Sequence, residues 1–218
     1  MKLLSGPLSM FGAKAEIAVA EKGVACEVTH VPFTLKTLYE PKHPDVVRIN
    51  PKGQVPVLLD DGVEVFDSTQ IFEYLETVCP DPALWPAAPA PRAEARLMEL
   101  QSDEIFFPHV ISLMGLVGDP KGAAALAEKA GIIAYYDEVE GQLATRSYMA
   151  GDTYSYADIA FIMAHYFAVF LGADLGPDHA RLSSWRQRIT ARPAVNKVLT
   201  PMGAFLRSNG LTPPDFAV

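Results

Sequence analysis

The chain has little cysteine, no excess of positive charge and no long apolar run, and each shortage removes a class of function. Only two of its 218 residues are cysteine, Cys26 and Cys79. Two cysteines make neither a thiolate metal cluster nor a disulfide framework, and they fit a reduced, cytoplasmic setting. The formal charge is -8, and residues 1 to 79 carry 7 Lys and Arg against 11 Asp and Glu, the remainder 11 against 15. With no basic half, sequence-independent binding to nucleic acid is excluded as an expectation. The N-terminus lacks the basic-then-apolar run of a secretory signal. The longest apolar run, 159–171, is interrupted by His165 and is shorter than the ~20 residues that cross a bilayer. It reads as a buried helix, and no membrane partner is expected.

Common catalytic motifs are missing as well. The sequence has no G-x-x-x-x-G-K-[ST] phosphate loop, no H-E-x-x-H, no G-x-S-x-G elbow and no G-x-G-x-x-G. Its five histidines, at 30, 43, 109, 165 and 179, are scattered and assemble no metal site by spacing. His165, set among apolar residues, reads as a core histidine.

What is present is a clear order of elements. Lys2 to Ser5 is a short strand, a Gly6-Pro7 turn follows, and Met10 to Lys22 is built of helix formers with Gly23 where a left-handed cap is wanted. Cys26 to Val31 alternates as a second strand, so the first thirty residues form a βαβ unit with parallel strands. Pro32, Pro41 and Pro44 break the next segment, apart from a short helical turn over 45–49. Val55 to Leu59 and Val63 to Phe66 are apolar strands around Asp60-Asp61-Gly62, a hairpin signal. Over 68–78, Ile71, Tyr74, Leu75 and Val78 keep the spacing of a one-faced helix.

Five prolines between Pro80 and Pro91 then predict an extended connector. Beyond it only helical patterns occur, near 92–116, 121–145, 155–171, 180–192 and 194–207. The expected division is an α/β domain over 1–79, a proline-rich linker over 80–91 and an all-α domain over 92–218. In the second domain, Ser155 and Asp158 stand at capping-box spacing ahead of the most apolar helix.

Several residues in the first domain stand where chemistry is available. Ser9 lies where a loop becomes a helix, so it either caps that helix or presents its hydroxyl outward. Pro56 sits inside an apolar strand, where a residue without an N–H needs a reason. Asp67-Ser68 opens a helix, whose free amides and positive dipole end favour an anion, although Asp67 is equally suited to capping.

The segment "INPKGQVPVLLDDGVEVFDSTQIFEYLE", residues 49 to 76, resembles the glutathione-binding half of cytosolic glutathione transferases. "LSGPLSMFGAKAEIAVAEKG" and "GDTYSYADIA" extend the likeness over most of the chain. The resemblance implies a thioredoxin-like N-terminal domain, an all-helical C-terminal domain, a homodimer and glutathione as co-substrate. It further implies a cis bond before Pro56, with the Val55 backbone facing the cysteinyl part of the tripeptide. Gln54 would touch the tripeptide, Ser68 would bind its γ-glutamyl carboxylate and Asp67 its amine. Lys42 would meet the glycine carboxylate, with Lys36 and His43 as competitors.

Ser9 matches the hydroxyl of serine-type members that donates to the glutathione sulfur. Ser5 is a second hydroxyl nearby, and Met10 departs from the proline that many serine-type relatives carry after the serine. A small apolar electrophile would be the second substrate in a detoxifying transfer, with Leu8, Met10, Phe106 and His109 as candidate walls. Dehalogenation, ether cleavage or isomerisation would use the same tripeptide site, and a non-catalytic binding or regulatory role is the alternative. Positions 9–12 lack the cysteine of redox relatives, and neither Cys26 nor Cys79 is placed to replace it.

Overall fold

A computed structural model describes residues 1–216, which gather into two compact units. One comprises Met1–Pro82 with Pro193–Pro213, the other Ala83–Arg192 with the residues from Pro214.

The first unit is a four-stranded mixed sheet with helices. Strands β1 (Lys2–Ser5), β2 (Glu27–His30), β3 (Val57–Asp60) and β4 (Val63–Phe66) lie in the order β2-β1-β3-β4. β1 and β2 are parallel, as the βαβ spacing requires, and β3 is antiparallel to both β1 and β4. Helices α1 (Met10–Glu21), α2 (Pro44–Ile49) and α3 (Ser68–Val78) complete the expected βαβ and ββα order. Asp60 pairs with Val63, leaving Asp61 and Gly62 as a two-residue loop with φ of 42° and 87°. Two positive φ values define the type I′ turn whose twist matches a hairpin. Strand β3 begins at Val57, two residues later than its apolar run, because Pro56 has no N–H for the ladder. Apolar residues from sheet and helices, among them Leu3, Leu58, Ile17, Ile71, Phe72 and Leu75, are fully buried. The buried Lys22 ammonium lies 2.5 Å from Glu76 and donates to the Cys79 and Pro82 carbonyls, pinning the chain that leaves α3 to the end of α1.

The second unit holds α4 (Pro89–Gln101), a π-helical turn over Ser102–Phe106, α5 (Phe107–Gly115), α6 (Ala123–Gln142), α7 (Tyr156–Phe170) and α8 (Ala180–Thr190). Three details depart from the sequence reading. Helix α4 starts at Pro89, inside the stretch expected to be extended, because proline fits the first helical turn, where its missing N–H has no partner to lose. The helix expected over 92–116 runs without a break to Gly115 but carries a π turn in its middle, with Pro108 just beyond that turn. The final helix, α9 (Pro193–Ser208), packs on α1 in the first unit. Its buried face of Val195, Val198, Leu199, Met202 and Leu206 announces a partner without saying which one.

At the start of α7 the Ser155–Asp158 capping box forms as its spacing predicts. The fully buried Asp158 carboxylate also reaches further. It accepts from the Ser155 amide at 2.9 Å, the Met149 amide at 2.9 Å and Trp185 Nε1 at 2.8 Å. Burial pushes this carboxyl upward, and its hydrogen bonds pull it back. Each buried donor left without an acceptor costs about 1–3 kcal/mol, so Asp158→Ala, which orphans three, is expected to lower the unfolding free energy by about 3 kcal/mol or more. Ser155→Ala should cost about 1 kcal/mol. Denaturant titration of both variants tests the ranking, and equal losses would contradict it.

Candidate functional site

The sheet register sets out the site. Ser5 pairs with His30, Leu4 with Val57, and Val57 with Phe66. One step beyond the last antiparallel pairs, Pro56 falls beside Ser5 and Asp67 beside Pro56. His30, Ser5, Pro56 and Asp67 therefore form a row across one end of the sheet. The loop to Ser9 and the start of α3 leave the sheet from that end.

Ser9 is the N-cap of α1, and its Oγ accepts from the Gly12 amide at 3.0 Å. A hydroxyl that accepts one hydrogen bond still has its proton to give, and among the described residues the Ser9 O–H has no acceptor. Capping and presenting a hydroxyl are thus compatible at this position. Ser5 is differently placed. It is fully buried, and its O–H donates to Glu16 Oε1 at 2.5 Å. The same Glu16 oxygen lies 3.0 Å from His30 Nε2, so Ser5 is committed to a carboxylate inside the unit.

The Val55–Pro56 bond is cis, in agreement with the resemblance. Asn50 Nδ2 donates to the Gln54 carbonyl at 2.6 Å, and Asn50 Oδ1 accepts from the Lys52 amide at 2.9 Å. A single buried asparagine thus holds the 50–54 loop. A Cβ at Gly53 would lie 3.0 Å from Lys42 Nζ, so the Lys42 side chain rests against this loop beside Gln54. Of its competitors, His43 is occupied in capping α2 through Nδ1, and Lys36 is exposed. Asp67 caps α3, with Oδ1 accepting the Thr69 and Gln70 amides at 3.0 and 3.2 Å. Its φ of 74° is a region non-glycine residues rarely occupy, and such outliers gather at functional sites. Ser68, the first helical residue, is buried.

Two features were invisible in the sequence. Tyr39 packs its hydroxyl against Gly6, where a Cβ would come within 2.4 Å of it, so the loop to Ser9 is floored by a phenol. Burial pushes that phenol well above its ordinary value, the Leu8 amide partly opposing, and it stays neutral. The Ser5–Glu16–His30 cluster is the other; its members are separated by 11 and 14 residues, and no local pattern links them. The suggested walls fare less well. Phe106 is fully buried among Tyr135, Tyr136 and Phe161, Met10 is buried, and His109 Nδ1 lies 2.6 Å from Glu128.

The Glu16 bond raises the His30 pKa above its ordinary 6.5 against the opposing effect of partial burial. The pair's contribution to stability is therefore complete below about pH 6.5 and drains away as pH rises through the raised folded value. Melting temperature followed from about pH 5.5 to 8.5 should fall through that window, and His30→Gln should flatten the fall. Parallel curves for the two proteins would show that the pair contributes nothing.

The model of the glutathione S-transferase N-terminal domain matches residues 8–78, and that of the C-terminal domain residues 97–193. Glutathione S-transferase 2 of Saccharomyces cerevisiae is 29% identical, covering 91% of this chain and 89% of its own. A stringent starvation protein A homolog of Coxiella burnetii is 26% identical over 95% of both chains. The crystal structure of a glutathione S-transferase from Rhodospirillum rubrum F11 superposes with a TM-score of 0.82 at 26% identity, covering 99% of this chain and 97% of that one.

Proposed function

We propose, for a chain that belongs to the cytosolic glutathione S-transferase family, that it binds glutathione at the sheet end described above and holds its sulfur as a thiolate through the Ser9 hydroxyl. The observation that carries this reading is the two-sided use of Ser9: its oxygen takes the Gly12 amide while its proton remains to be donated. A free thiol near pKa 8.5 is about 3% ionised at pH 7. Lowering it by about two units makes it mostly thiolate and takes roughly 2.7 kcal/mol. One charge-assisted hydrogen bond at the positive end of α1 supplies an interaction of that order. The thiolate, not the serine, is then the nucleophile. It attacks an electrophilic carbon of a small apolar substrate, forming the C–S bond as the leaving group departs with its electron pair.

The remaining roles are the ones that the family resemblance assigns. The Val55 backbone beside the cis bond meets the cysteinyl unit, and Pro56 fixes its direction. Ser68 takes the γ-glutamyl carboxylate at the start of α3, Asp67 takes the amine, Gln54 contacts the tripeptide backbone, and Lys42 takes the glycine carboxylate. Both cysteines are free, in keeping with a reducing cytoplasm. Leu97, Leu100, Ile105 and Ile111 are each half exposed on the α4–α5 segment. That much apolar surface favours a second copy over water, which supports a homodimer. A non-catalytic role is the second reading, favoured by the Coxiella relative's similarity over 95% of both chains.

Calorimetric titration with glutathione, paired with ultraviolet detection of thiolate, tests the assignment. Wild type and Ser9→Ala should both bind, with the thiolate signal of the variant at pH 7 reduced about threefold if roughly 1.4 kcal/mol is lost and about 25-fold if the full ~2.7 kcal/mol is lost. Ser68→Ala should chiefly weaken binding. An unchanged thiolate signal in Ser9→Ala would remove the hydroxyl from its role. Binding without thiolate in wild type would favour the non-catalytic reading.

A further inference from the structure

The second unit contains a polar cavity of about 530 Å³ between the segment after α6 and one face of α8. It is independent of the glutathione reading, and its volume lies within the range of small-molecule sites. Its walls carry three of the chain's nine arginines, Arg146, Arg181 and Arg188, with Asp152 and the hydroxyl residue Ser184. This concentration of guanidinium occurs in a protein of net charge -8.

The three arginines differ in their commitments. Arg146 is largely buried, 2.7 Å from Glu94 through Nη1, and bonded to Gln142 through Nη2. Its Nε–H has no acceptor but is sealed from solvent, so it gives the cavity no free donor. Arg181 lies 3.2 Å from Glu140 and uses only Nη1 there. Arg188 has no carboxylate partner among the described residues; Nη1 donates to the Ser147 carbonyl, and the guanidinium lies 5.4 Å from the centre of the Tyr148 ring. The helix start of α8 contributes nothing here, because Glu140 already accepts the Arg181 and Leu182 amides.

We infer that this cavity binds a phosphate ester of a small hydroxylated molecule. A carboxylate has two oxygens to share, whereas a phosphate monoester has three terminal oxygens, enough for Arg188 together with the uncommitted N–H groups of Arg181. Asp152 is exposed at the same cavity and repels a bare anion. It suits a ligand whose hydroxyl donates to it, which selects a sugar phosphate or nucleotide over inorganic phosphate.

The test is calorimetric titration of the full chain with ribose 5-phosphate, with ribose, inorganic phosphate and sodium chloride of equal ionic strength as comparisons. Ribose 5-phosphate should bind, ribose and chloride should give no heat, and inorganic phosphate should bind about tenfold more weakly. Arg188→Gln should weaken ester binding at least tenfold, while Arg207→Gln, which removes an exposed charge in the other unit, should leave it unchanged. Circular dichroism melts confirm that both variants fold. The inference is overturned if the ester gives no heat with wild type, if chloride reproduces its effect, or if Arg188→Gln and Arg207→Gln behave alike. Loss of glutathione binding by Ser68→Ala would have no bearing on this cavity, so the two assignments stand or fall separately.

Discussion

A serine hydroxyl has lone pairs to receive a bond and one proton to give, and the proposed chemistry depends on Ser9 using the two in different directions. The Gly12 amide takes the oxygen, as it would in any helix cap. This bond draws electron density from the hydroxyl and makes its remaining proton a better donor. It also fixes the oxygen at the end of a helix whose aligned peptides favour negative charge. The local requirement of helix formation and the requirement of thiolate stabilisation therefore coincide on one atom.

The position of that atom rests on packing beneath it. A Cβ at Gly12 would lie 2.3 Å from Ser5 Oγ, so only glycine lets the first turn of α1 approach β1 this closely. Ser5 is in turn held by Glu16, and Glu16 by His30. The result ties the first turn, the middle of α1 and the parallel pair β1–β2 together. Ser5, the last residue of β1, works inside this brace, and its proton is committed to Glu16.

Features governed by local chemistry were legible in the sequence. Asp60-Asp61-Gly62 announced a hairpin, Gly23 a helix end and Ser155 with Asp158 a capping box, because each conformation is dictated within four residues. Pro56 was legible as an anomaly, and the family motif around it supplied the cis bond. The rest depends on contacts between distant segments. Helical periodicity showed that α9 has a face to bury but not that α1 buries it. Proline density suggested an extended connector up to Pro91, although Pro89 and Pro91 occupy a first helical turn that tolerates them. Glu16 and His30 looked like an ordinary helix carboxylate and an ordinary strand histidine until the fold brought them together.

The helix starts are satisfied in two ways, by a carboxylate at α3, α7 and α8 and by an uncharged hydroxyl at α1. In the second unit, α7 and α8 begin on carboxylates that also serve distant groups: Asp158 takes Trp185 and Met149, and Glu140 reaches across from α6 to the Arg181 and Leu182 amides. Those ends are neutralised by the protein itself. Any anion bound by that unit has to rely on guanidinium groups, as in the cavity along α8. In the first unit, α1 and α3 are capped by their own neighbouring residues, Ser9 and the exposed Asp67. Ser9 satisfies the Gly12 amide without placing a charge on the start of α1, whereas the Asp67 carboxylate offsets the dipole of α3. The start of α1, capped by an uncharged hydroxyl, keeps its positive end, and the sheet register brings it to the same end of the sheet as the cis proline.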